Sequence, residues 1–285
     1  MGDRLRAWMG RLLFIILCTA GVVSGGFLLL CRQGSLDPAL GTEPAQPASA
    51  PVVIPVEEAP LPTQAVLLSP EELDRAPETG AVAVTMKAGD GTLGYVSSLE
   101  LAADLGVSSG DPARNAALMA LNGDPERYTV ALVSCLRDGA AGGMEGMGLE
   151  RASGSPWLDE TRTGWLDPAQ PQVQSYLIGV CRELARLGFD EILLTHCCYP
   201  AQGEQTALPP AEERAEALET FCRRLRGALA DCPVRLSVEG EGDAGSPAPR
   251  SGQTTGLLAA FTRVWAAEEN AAALAIFCPV PLPEG

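Results

Sequence analysis

The chain alternates two hydrophobic periods, and this alternation limits its fold more than any other feature. Short apolar runs of strand character stand at 81–86 (AVAVTM), 128–136 (YTVALVSCL), 191–194 (EILL), 234–238 and 273–278. Segments with helical spacing lie between them, at 112–121, from Pro168 to about Leu187, and at 212–229 and 255–268. In the second of these, Tyr176, Leu177, Val180, Cys181, Leu184 and Leu187 form one apolar stripe, and Gly188 ends it by accepting a left-handed backbone. Asp111 and Pro112 suit the start of the first helix, and Asn122-Gly123 suits its end. Strands separated by helices of this length predict a parallel sheet, closed as a barrel or open.

One segment does not belong to that globule. Residues 12–31 (LLFIILCTAGVVSGGFLLLC) carry no charge, and as a helix they would cross the ~30 Å hydrocarbon core of a bilayer. Arg4, Arg6 and Arg11 precede the run and Arg32 follows it. The positive-inside rule then places 1–11 in the cytoplasm and the rest outside. A cleaved signal peptide is the alternative, with Cys18-Thr19-Ala20 as its cleavage site, but the apolar run continues well past that point. From 32 to 65 the chain is rich in Pro and Ala, which favours an extended linker. The expected order is therefore a cytoplasmic N-terminus (1–11), a single-pass anchor in the cell membrane (12–31), a linker (32–65) and an extracytoplasmic domain (66–285).

The net charge of −16 repels phosphate backbones and argues against nucleic acid as a partner. His196 is the only histidine, so a metal site with two of them is impossible. No glycine-rich phosphate cradle follows a strand, and no metal or cofactor is expected. Of nine cysteines, Cys18 and Cys31 lie in the anchor. Cys135, Cys181 and Cys278 sit in apolar patterns and read as buried thiols, while Cys222 and Cys232 bracket a helix end and could pair.

Residues 164–200 contain Trp165-Leu166-Asp167-Pro168, then Gly188-Phe189-Asp190-Glu191-Ile192, then Tyr199-Pro200. This run resembles a bacterial putative glycoside hydrolase family with a TIM-barrel-like domain. Further along the same pattern, Lys87 resembles the lysine after the family's first strand. Ser237-Val238-Glu239 resembles a Ser-Ala-Asp strand end, Gly252-Gln253 an Ile-Gly-Gln element, and Cys278-Pro279-Val280 a Ser-Pro-Met strand end. The resemblance implies an α/β fold of the TIM type. The chain ends before eight strands can be counted, so an incomplete barrel is expected. In such a barrel the chemistry lies at the C-terminal strand ends.

The departures from the family pattern bear on chemistry. Thr195 stands where the resemblance implies an Asp, Cys198 and Leu132 where it implies arginines, and Thr85 where it implies an Asp before the lysine. Glycoside hydrolysis generally needs two carboxyls flanking the bond. Of the matched strand-end acids only Glu239 remains, read either as a catalytic acid or as a solvated carboxylate in the run Glu239-Gly240-Glu241-Gly242-Asp243. Asp190 and Glu191, at a strand entrance, read as structural. Trp165 and Tyr199 are candidate stacking platforms for a sugar ring, with packing as the alternative. His196 shares its strand face with Cys198, which would allow a thiolate–imidazole pair lacking a third orienting group. Gln253 would bond a ligand hydroxyl or cap the following helix. Asp167, Thr195, His196 and Lys87 complete the expected ligand-binding set. The expected function is a membrane-anchored glycoside-hydrolase-like protein, catalytically impaired, that binds a glycan (a polysaccharide or cell-wall glycan) or another cell-envelope component. The alternative is an active hydrolase using Glu239.

Overall fold

The structure is a computed structural model and describes residues 60–283. The anticipated anchor at 12–31, most of the linker, and Cys18 and Cys31 lie outside the described residues. Among the described residues no helix is long and apolar enough to cross a membrane.

Seven strands form one sheet in the order of the chain: β1 (Val66–Leu68), β2 (Gly80–Lys87), β3 (Arg127–Ser134), β4 (Glu191–Thr195), β5 (Arg235–Glu239), β6 (Val264–Ala266) and β7 (Val280–Pro281). Every neighbouring pair is parallel. The helices are α1 (Glu100–Asp104), α2 (Arg114–Asn122), α3 (Pro171–Arg186), α4 (Ala211–Ala228), α5 (Thr255–Leu258) and α6 (Glu268–Ala271). The sheet curls into an incomplete TIM-type barrel.

Because a parallel sheet of this kind is covered on its outer face and curls round a filled interior, its central strands are apolar on both faces. Val82, Ala83 and Val84 of β2 are each fully buried. One residue set packs against the helices: Val82, Val84, Ala131, Val133, Ile192, Leu194 and Val238 meet the stripes of α3 (Val173, Leu177, Val180, Leu184) and α4 (Leu218, Phe221, Leu225). Each such side chain contributes about 1.5–3 kcal/mol when removed from water. The alternate residues Ala83, Val130, Leu193 and Trp265 form a separate cluster on the inner face.

At the strand entrances the interior is closed by a polar network. Glu191 is fully buried and accepts from Arg263 Nη2 (2.7 Å), Tyr128 Oη (2.8 Å) and Trp265 Nε1 (2.9 Å). The Arg263 guanidinium lies 4.4 Å from the Trp265 ring centroid, which adds a cation–π contact. Asp190 beside it holds the backbone N–H of Thr129 at 2.7 Å.

Four expectations are corrected. The helix over 255–268 is a single turn, α5, capped by Thr254 Oγ1, which accepts from the Leu257 N–H at 3.1 Å. The chain then runs into β6, because Thr262 N–H donates to Leu236 O and Gly240 N–H to Trp265 O, both at 2.8 Å. Sheet pairing outweighs local helical spacing there. The strand over 273–278 is instead a 3₁₀ turn, Ala275–Phe277, ended by Cys278 at φ 46°, and the strand follows as β7. The seven described cysteines are all free thiols, so Cys222 and Cys232 do not pair. Cys222 points into the core with its Sγ 3.8 Å from Cys197 Sγ, whereas Cys278 is exposed rather than buried.

Candidate active site

The register carries Glu239 to the inner side of the C-terminal strand ends: it pairs with Trp265, a member of the inner cluster. Glu239 is half-buried, and its Oε2 accepts the backbone N–H of His196 at 3.2 Å. Burial raises its carboxyl above the usual range, the Glu241 and Glu269 charges add to this, and the His196 N–H opposes it. Such a carboxyl is not a freely solvated loop acid. Gly240 faces the helix-side core, where an added Cβ would stand 2.7 Å from both Leu274 Cδ1 and Val264 Cγ1. Successive residues of an extended chain alternate, so Glu239 and Glu241 turn the other way, onto one face. Glu241 is also raised, chiefly by burial, against a Cys198 Sγ–H that donates to its Oε1 at 3.5 Å.

His196 follows the last residue of β4 in a left-handed conformation, φ 49°. For a residue other than glycine this is strained, and such strain concentrates at functional positions. The turn aims the His196 backbone at Glu239 and its ring between Ser134 and Trp165. Nδ1 is 3.2 Å from Ser134 Oγ, and the ring meets Trp165 edge-to-face with centroids 5.9 Å apart. Burial, with the Arg137 and Lys87 charges, lowers the imidazole to about 4 against the pull of Asp159. His196 is therefore neutral at pH 7. A thiolate–imidazole pair does not form, because burial and the Glu241 and Glu239 charges push the Cys198 thiol far up.

The remaining sequence-predicted residues are committed elsewhere. Lys87 is buried, with Nζ 2.9 Å from Asp138 Oδ2 and donating to Ser134 O at 2.7 Å. Gln253 is fully buried: its Oε1 accepts from Glu241 N–H (2.7 Å), and its Nε2 donates to Cys197 O (3.0 Å) and Glu239 O (2.8 Å). Its side chain caps no helix and ties the end of β5 to the segment after β4. Asp167 spends Oδ1 on Ala169 N–H and Oδ2 on Gln170 Nε2, both at 2.9 Å, shaping the turn before α3. Tyr199 is 1% exposed and lies beneath the Arg214 guanidinium, so its ring is not presented as a platform. Trp165 is 6% exposed and donates Nε1 to Asp159 Oδ2 at 3.2 Å. Thr195 Oγ1 reaches Val133 O at 3.4 Å. Glu239, His196, Thr195 and Trp165 are thus brought together, whereas Tyr199, Asp167, Gln253 and Lys87 act as structure around them.

Sequence reading missed Ser134, Arg137, Asp138, Asp159 and Glu241. Position alone could have flagged the first three, since they lie at or just beyond the end of β3. Asp159 resists burial because Arg137 Nε donates to it at 2.8 Å, with Thr161, Thr163 and Trp165 assisting. Its carboxyl is held well below the usual range. Among the described residues no group of three His, Cys, Asp or Glu is placed to hold a metal ion. A cavity of about 580 Å³ opens at the seam between β1 and β7, lined by Val66, Ala81 and Leu282 among others. Its lining comes from the starts of β1 and β2 and from the end of β7, so it marks the gap of the incomplete barrel.

A family model described as a putative glycosyl hydrolase domain matches residues 71–263. A search of the curated proteins finds no match. Among solved structures, a hypothetical protein from Ruminiclostridium thermocellum ATCC 27405 is similar with a TM-score of 0.50 and 21% identity, over 61% of this chain and 96% of that one. The PgaB (BpsB) glycoside hydrolase domain from Bordetella bronchiseptica is similar with a TM-score of 0.52 and 16% identity, over 75% of this chain and 81% of that one. At these identities the likeness is one of fold.

Proposed function

The chain belongs to the putative glycosyl hydrolase domain family, and from that premise we propose a carbohydrate-binding, glycosidase-like domain in which hydrolysis is lost or strongly reduced. The observation that carries this reading is the state of the carboxyls around Glu239. Asp138 is neutralised by Lys87, Asp159 is bound by Arg137, and Asp167 is consumed by its own turn. Thr195, the neighbour of His196 at the end of β4, has a hydroxyl that cannot carry the charge of a nucleophile or base. Glycosidases set two carboxyls about 5–5.5 Å or 6.5–9.5 Å apart on either side of the bond. Here Glu239 and Glu241 lie on one strand end, and the only other acid among the described residues whose charge reaches both, Glu269, is exposed on α6. The site suits recognition of hydroxyls by a carboxyl and a neutral imidazole. The partner in this reading is a polysaccharide or cell-wall glycan, met outside the membrane by a domain tethered through residues 12–31.

Incubation of the protein with cell-wall and secreted polysaccharides tests the reading. Retention on the polysaccharide without release of reducing ends is the expected result. Release that Glu239→Gln abolishes would establish a working hydrolase instead. One observation favours that second reading: the raised carboxyl of Glu239 is suited to proton donation, with Glu241 two residues away.

A further inference from the structure

Ser134 has one hydroxyl proton, and two neighbours compete for it. Its Oγ lies 2.8 Å from the backbone carbonyl of Arg137 and 3.2 Å from His196 Nδ1. Two oxygens at 2.8 Å need a proton between them, and a carbonyl has none to give. The Ser134 proton therefore goes to Arg137 O, and the contact with His196 requires a proton on Nδ1. A neutral imidazole with Nδ1 protonated carries a bare lone pair on Nε2.

The surroundings hold this arrangement in place. Lys87 donates to the Ser134 carbonyl, and its ion pair with Asp138 anchors the turn that carries the Arg137 carbonyl. Trp165 packs edge-to-face on the imidazole and limits its rotation. Nε2 has no partner among the described residues, and it is not one of the buried unpaired atoms of the domain. Nε2 therefore reaches solvent on a half-buried residue whose backbone N–H goes to Glu239.

We propose that Ser134 holds His196 as the Nδ1–H tautomer, so that Nε2 accepts a hydrogen bond from a ligand hydroxyl. The ligand class is a neutral, hydroxyl-bearing sugar. An acceptor nitrogen without a proton rewards an O–H donor, whereas a carboxylate or phosphate brings only acceptors to the same place. Ser134 is the positioning residue and His196 the group that touches the ligand. This step rests on the carbohydrate-binding reading for its ligand, but not for its tautomer.

The single histidine of the chain makes the test direct. The full chain labelled with ¹⁵N in the histidine ring yields one imidazole spin system at pH 7. The expected spectrum has a protonated Nδ1 and a bare Nε2. Ser134→Ala lowers the ratio of Nδ1–H to Nε2–H by about fivefold, the worth of one neutral hydrogen bond. A proton on Nε2 in the unsubstituted protein overturns the proposal, whatever the variant does. Cellohexaose and chitohexaose are the ligand probes. Binding of either should move the Nε2 resonance and leave Nδ1 protonated, and binding that leaves Nε2 unmoved overturns the ligand contact. If neither hexamer binds, the carbohydrate reading and the ligand contact both fail while the tautomer stands.

Discussion

Lys87 Nζ and Asp138 Oδ2 form an ion pair at 2.9 Å with both side chains wholly out of solvent. The pair joins the end of β2 to the turn after β3 and leaves the side chain of the chain's only lysine with no exposed surface. It also engages a carboxylate that lies just beyond the end of β3. A buried pair of this kind is costly to break, because the surviving partner is left charged and unpaired.

Lys87→Met and Asp138→Leu should each destabilise the domain by about 3–5 kcal/mol, and the double substitution should recover a large part of that loss. Denaturant unfolding of the three variants measures the coupling. Strictly additive losses would mean that the pair contributes nothing as a pair.

Acid should weaken the fold through His196. The imidazole is lowered from 6.5 to about 4 in the folded protein, so the unfolded chain binds its proton first as pH falls. The stabilisation is complete above pH 6.5 and is lost as pH drops toward 4, to the extent of about 3 kcal/mol. Glu239 and Glu241 act in the opposite sense: their raised carboxyls lose stabilisation as pH rises above 4.5. The comparison that isolates His196 is the stability of the protein minus that of His196→Gln, followed from pH 7 to 4. A difference that does not change with pH would show that the imidazole is not depressed.

Replacing Gln253 by Leu keeps the volume and strands three backbone groups: Glu241 N–H, Cys197 O and Glu239 O. A loss of about 2–4 kcal/mol is expected, at roughly 1–3 kcal/mol for each buried group that finds no water. The variant should fold with the loop after β5 displaced, seen as altered amide exchange at Glu241. A near-neutral substitution would mean that water replaces the amide.

Tyr199→Ala should reduce stability by about 3–5 kcal/mol, the usual cost of emptying a buried aromatic site. Tyr199→Phe keeps the packing and should leave polysaccharide binding unchanged. A loss of binding in a well-folded Tyr199→Phe protein would show that the hydroxyl reaches the ligand from its buried position.

Much of the architecture was legible along the chain. The apolar runs at 81–86, 128–136, 191–194 and 234–238 became β2 to β5, and the stripe ending at Gly188 became α3, with Gly188 itself at φ 90°. The short strands were harder. Val66–Leu68 is too brief to show a period, and Val264–Ala266 follows a capped helical turn closely enough to read as its continuation. Both exist because a neighbouring strand offers its N–H and C=O groups, a condition that no local pattern records.

The candidate site divides in the same way. The sequence by itself determined that Glu239 ends a strand, that position 195 carries a threonine and no acid, and that His196 is the only imidazole available. These are matters of residue type and local spacing. Only the tertiary structure decided that Asp138 meets Lys87, that Tyr199 is covered, and that Ser134 assigns the proton of His196. Each of those outcomes depends on groups from different strands, helices and loops brought into contact with one another, where hydrogen-bond geometry and desolvation set charge state and accessibility.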